Sequence, residues 1–91
     1  MSIQLPITIK VLYESQAKDA PYIAYIPEFD VSSCGKTEEK AKKNVKEALE
    51  IVLEEVKKQG QLNQFLKEAG FSSHTSNLFP KISFEPFVFH T

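Results

Sequence analysis

Four carboxylates, Glu14, Glu28, Asp30 and Glu47, are the residues of this chain best suited to metal chemistry. Metal-dependent cleavage of nucleic acid needs several such groups converging on paired divalent cations. Here Glu14 and Asp30 fall in expected turns and Glu47 lies among charged neighbours on a helix face. The centre of the first expected strand holds Thr8, Ile9 and Lys10 where such a site would need an acid. A nucleophile and base drawn from Cys34 with His74 or His90 is the second option. His74 sits among serines and His90 beside the terminus, so both are expected in solvent, and Cys34 is expected as a small buried thiol at a strand end. The third option is contact with RNA through Lys40, Lys42, Lys43 and Lys46, but Glu38, Glu39 and Glu47 dilute that cluster. No catalytic residue, metal or cofactor is expected.

Composition narrows the field further. Ninety-one residues make one domain, 1–91, with a single modest core. The chain is 42% hydrophobic and 25% charged, ordinary for a globular protein, and a net charge of -1 provides no global field to draw in nucleic acid or an anionic membrane. All 11 basic residues are lysine. Arginine's planar fork, the better tool for bidentate binding of phosphate or guanine, is missing. One cysteine excludes an internal disulfide and fits a reducing compartment. The first ten residues lack an apolar signal core, and no run approaches membrane-spanning length, so a cytoplasmic location with no membrane contact is expected.

The elements that must position any binding residue are legible from periodicity. Over 37–58, Ala41, Val45, Ala48, Leu49, Val52, Leu53 and Val56 recur at three- and four-residue steps and predict an amphipathic helix. Thr37 is a good N-cap, Glu38 and Glu39 suit the positive end of the dipole, and Lys57 and Lys58 suit the negative end. Gly60 stands where a left-handed residue is wanted; Lys40 at the third position rules out a full capping box. Pairs such as Glu39–Lys43 and Glu54–Lys58 contribute a few tenths of a kcal/mol each on a solvated face. Leu5, Ile7, Ile9, Val11 and Tyr13 alternate with Pro6, Thr8, Lys10 and Leu12, the period of a strand with one buried face. Residues 22–26 read as a second strand and 31–34 as a short third, which makes an antiparallel meander on which the helix folds back. Leu62, Phe65, Leu66 and Ala69 before Gly70 predict a second, short helix, and 71–77 a serine-rich connection.

The last expected strand, 81–89, contains Pro86, which argues for an edge position. A right-handed crossover would lay it parallel to the first strand, in the order third, second, first, fourth. The predicted class is thus α+β, strand-strand-strand-helix-short helix-strand, with the long helix packed on one face. Ile82, Phe84 and Val88 serve one face of the last strand and Phe87 and Phe89 the other, while a helix covers a single face of so small a sheet. Either Phe87 and Phe89 fold under the short helix or fray at the terminus, or this edge joins copies of the chain.

Three segments together resemble the HicB antitoxin family, small stand-alone members included. They are Tyr22-Ile23-Ala24-Tyr25-Ile26-Pro27-Glu28, then Gly35-Lys36-Thr37-Glu38-Glu39-Lys40-Ala41, then Asn44-Val45-Lys46-Glu47-Ala48-Leu49. In that family an aromatic strand ends in Pro-Glu, a Gly-x-Thr cap follows, and an amphipathic helix carries Ala and Asn near its start. The likeness covers 22–49 directly, and the flanking strands suit the layout. It implies a partial ribonuclease-H-like fold, a dimer or tetramer, and neutralisation of a small mRNA-cleaving toxin, HicA. The frequent glycine after Pro-Glu is replaced here by Phe29-Asp30-Val31, which leaves the geometry of that turn open. Many members carry an operator-binding module after the last strand; the chain given stops at Thr91, so no direct DNA binding is expected.

The leading expectation is a non-enzymatic antitoxin-like protein that masks a HicA-like toxin. Its partner-binding candidates are Tyr25, Glu28 and Phe29 at the end of the second strand, with Phe84, Phe87 and Phe89 on the last. For Tyr25 and Phe84 ordinary core packing is the competing explanation. An orphan assembly module, a homodimer or homotetramer without a toxin, is the alternative, followed by the metal-dependent nuclease.

Overall fold

A computed structural model describes residues 4–72, 79–80 and 85–90 of the chain. The elements run β1 (Lys10–Tyr13), β2 (Tyr22–Ile26), β3 (Val31–Gly35), α1 (Glu38–Lys58), α2 (Leu62–Glu68), β4 (Phe71–Ser72) and β5 (Phe79–Pro80). The first three strands form the expected antiparallel meander in the order β1-β2-β3, and α1 packs across it. The fold is α+β. Two further residues on each side, β4 and β5, pair antiparallel as a separate ribbon.

Residues 5–13 alternate as expected, with Leu5, Ile7, Ile9 and Val11 half-buried and the intervening residues exposed. Only Lys10–Tyr13 is a strand, however, because β2 offers no partner beyond Ile26, where Pro27 begins a turn. Tyr13 departs from the pattern: it is exposed and meets Tyr22 edge-on at a centroid distance of 5.1 Å. The 14–21 loop is closed by the Glu14 N–H donating to the Pro21 carbonyl at 2.7 Å.

The helix forms for the reasons its sequence supplies. Thr37 caps it, its hydroxyl accepting from the Lys40 N–H at 3.1 Å. At the other end Gly60 takes φ +73, its N–H donates to the Lys57 carbonyl, and the Gln61 N–H reaches back to Val56. That pair of bonds is a Schellman cap, satisfying carbonyls the helix leaves without partners. Lys42 approaches Glu38 at 3.7 Å, an exposed i,i+4 pair one position before the expected Glu39–Lys43.

Ala24, Ile26, Ala41, Val45 and Leu49 form the main core, and of these Ile26 and Val45 are the largest side chains fully shut off from solvent. Burying an aliphatic side chain of that kind contributes about 1.5–3 kcal/mol. Small residues at Ala24 and Ala41 let sheet and helix approach closely. Gly35 carries this to its limit, since a Cβ there would stand 2.6 Å from the Ala41 nitrogen and 2.9 Å from the Lys40 carbonyl carbon. The Asn44 side-chain amide donates to the Cys34 carbonyl at 2.9 Å and so ties the same helix turn to β3. Gly35, Ala41 and Asn44 therefore dock α1 onto the strand before it.

Burial along α1 stops at Leu49, and Ile51 beyond it is 68% exposed. Under the second half of α1 lies a smaller core of Leu66 and Phe71, with Leu5, Phe29, Leu53 and Leu62 packed around it. Phe29 stacks on Phe71 at 5.4 Å and on Phe65 at 5.8 Å, both near-parallel, joining the β2–β3 turn to α2.

Two expectations are changed by these contacts. Cys34 is exposed, because it pairs with Ile23 on the sheet face that α1 leaves open. The strand expected at 81–89 lies partly outside the described residues, at 81–84. Its described remainder is not strand: Phe87, Val88 and Phe89 are 88%, 70% and 76% exposed. A fourth strand beside β1 is not seen among the described residues, where the sheet has three.

Candidate functional site

Side chains alternate along a strand, so the burial of Ala24 and Ile26 against α1 turns Ile23 and Tyr25 to the opposite face. Pairing register then assembles that face. Leu12, Ile23 and Cys34 lie side by side across β1, β2 and β3, and Lys10, Tyr25 and Ser32 make the neighbouring row. Leu12 is 48% exposed and Cys34 is exposed, while Ile23 and Tyr25 are half-buried. No described element covers this side of the sheet. It is a short apolar row beside a polar one.

The β2–β3 turn gives the face an acidic end. The Phe29 N–H donates to the Ile26 carbonyl at 3.3 Å, and the Asp30 N–H to the Pro27 carbonyl at 3.4 Å. Asp30 takes φ +53, the left-handed conformation for which glycine is the usual choice and which Asp tolerates better than most residues. The turn is thus left-handed at Asp30 and carries a carboxylate there. That carboxylate accepts from the Tyr25 hydroxyl at 2.9 Å. The hydrogen bond, with a little desolvation and the Asp30 charge, holds the Tyr25 phenol above its ordinary range.

Glu28 is engaged differently. Its carboxylate accepts from the Thr8 N–H at 3.0 Å and from the Thr8 hydroxyl at 2.8 Å. Partial burial pushes its carboxyl up, but the two bonds from Thr8 and one from its own backbone N–H outweigh this and hold it below the usual range. Glu28 clamps the extended 5–9 segment where β2 has ended, taking the place of a ladder partner.

The six binding candidates therefore separate. Tyr25 lies on the open face, Glu28 is bound to Thr8, and Phe29 packs in the aromatic stack between the two cores. Phe87 and Phe89 stand in solvent, and Phe84 lies outside the described residues. Leu12 and Ile23 were not singled out by sequence reasoning. The signal was available, since they fall on the same side of their strands as Tyr25 once Ala24 and Ile26 are taken inward.

The carboxylates considered for metal chemistry do not converge. Glu14 accepts from the Gln16 N–H at 3.1 Å within its own turn, and Glu47 is exposed on α1. Among the described residues, no group of three or more His, Cys, Asp or Glu is placed to hold a metal ion. No described helix is long and apolar enough to cross a membrane. His90 is exposed and His74 lies outside the described residues. Compared with models of protein families, with curated proteins and with solved structures, the chain finds no match in any of the three.

Proposed function

We propose that this protein acts by binding: a HicB-type antitoxin that neutralises a small HicA-type mRNA-cleaving toxin by covering its surface. The observation that carries the reading is the open sheet face, with an apolar row of Leu12, Ile23 and Cys34 and an acidic end at Asp30. Masking needs no reactive group. It needs a rigid platform, an apolar anchor and charge opposite to the partner's, and a protein that grips RNA is basic where it does so. Tyr25, pinned by Asp30, is a preorganised aromatic anchor of the kind that dominates binding energy at interfaces. The resemblance over residues 22–49 supports the same partner class, and the reading places the protein in the cytoplasm, where messenger RNA is translated.

A short basic reading frame directly beside this one is the expected partner, and the test is co-expression with it. The two chains are expected to co-purify, and growth arrested by the basic protein alone to recover. Leu12→Glu, at an exposed position, is expected to weaken the complex at least tenfold while leaving the fold's circular dichroism unchanged. No complex and no rescue from the native pair would remove the antitoxin reading.

A second reading, a homo-oligomeric assembly module without a toxin, is favoured by one observation, the exposed apolar segment at 87–89. Self-association of the native chain together with failure of rescue would select it.

A further inference from the structure

A groove of about 300 Å³ opens between the second half of α1, α2 and the start of the chain. Its floor is five leucines, Leu5, Leu49, Leu53, Leu62 and Leu66, of which only Leu49 and Leu66 are buried. Its rim sets Lys46 and Lys57 against Glu50 and Glu54 and is neutral in sum, which suits an uncharged occupant. The same chain carries such a segment. Phe87-Val88-Phe89 is three consecutive large apolar residues, each at least 70% exposed. Exposed apolar surface of that density marks a contact site.

At that exposure the segment is not packed into the groove of its own chain. We infer that the 87–89 segment of one copy fills the leucine groove of a second copy, and the reverse, in a two-fold symmetric exchange. Symmetry doubles the gain, since one geometry fills two grooves and covers two segments. A net charge of -1 sets little repulsion against bringing two copies together. The exchange uses α1, α2 and the 87–89 segment, not the residues of the open sheet face, so it stands apart from the antitoxin reading.

Light scattering on the purified full chain at micromolar concentration is the first measurement. The native protein is expected at twice the chain mass and Phe87→Ser/Phe89→Ser at the chain mass, a twofold drop with unchanged circular dichroism. In a Cys34→Ser background, chains carrying Val88→Cys are mixed with chains carrying Glu50→Cys and treated with a short bismaleimide. A cross-linked pair containing one chain of each kind is expected. A native monomer, or a dimer whose mass survives the double serine change, overturns the exchange. So does a link formed within a single chain that carries both cysteines, which would place the segment in its own groove. A monomer that still rescues growth beside the toxin removes the exchange alone, and a dimer that rescues nothing removes the antitoxin reading alone.

Discussion

The two halves of this molecule bury apolar surface by different means. In the β1–β3 and α1 half, small residues share the core: Ala24 on the sheet and Ala41 on the helix, with Gly35 admitting the helix backbone itself. In the half built from α2 and the β4–β5 ribbon, closure depends on large rings: Phe29 stacks on Phe65 and on Phe71, and Phe71 is buried with Leu66. The first arrangement leaves no slack, since backbone approaches backbone and every displacement is felt. The second is a span bridged by long side chains, and it leaves a groove beside it. A close-packed half sets the platform; a loosely filled half leaves apolar surface for something else to cover.

Four measurements would break or sharpen that contrast. The largest effect belongs to Ile26→Ala, which empties the middle of the tight half and is expected to cost about 4 kcal/mol in a urea titration. Phe71→Ala is expected to cost about 3 kcal/mol, but unevenly. Hydrogen exchange should rise across α2 while the amides of β2 and the first half of α1 stay protected. Equal loss in both halves would show that they unfold as one unit and end the distinction. Gly35→Ala is expected to cost about 2 kcal/mol, since its methyl meets Ala41 backbone that has no rotamer to change. A neutral result would mean that α1 shifts freely on the sheet.

The smallest effect is electrostatic. Glu28 has a folded pKa below its ordinary 4.5 because Thr8 donates two hydrogen bonds to its charged form. Its contribution is therefore complete above 4.5 and is lost as pH falls below that value through the lower folded one. At so exposed a site the change amounts to at most about 1 kcal/mol. Glu28→Gln should abolish that part of the acid dependence, read as the shift of the urea midpoint between neutral pH and the range just below 4.5.

The tight half was readable because its signals are local. Ala41, Val45 and Leu49 repeat at helical spacing, Thr37 and Gly60 punctuate the ends, and the strands alternate. Ala69 and Gly70 ended the short helix for the same reason, with Gly70 at φ +94. What periodicity could not give was which neighbour each face would meet. Phe29 reads as an exposed turn residue until α2 brings Phe65 against it, and Cys34 reads as buried until register sets it beside Ile23 on the open side. Glu28 reads as a partner-binding candidate, and its bond to Thr8, twenty positions away in sequence, is not local enough to be read. Tyr25 was found for its type, but its restraint by Asp30 depends on a left-handed turn that the usual glycine pattern does not announce.

The length of α1 has one more outcome. Its 21 residues extend about 31 Å, while strands of 5 residues cover only about 17 Å. The far part of the rod thus runs past the ends of the strands, anchored at the Thr37 end and propped at the other by Leu53 and α2. Adding or deleting a residue beyond Leu53 would swing the far tip by about 100° about its axis without touching the anchored end. Lineages of this architecture could re-aim whatever rests on that overhang by changing a single codon, and keep the sheet as it is.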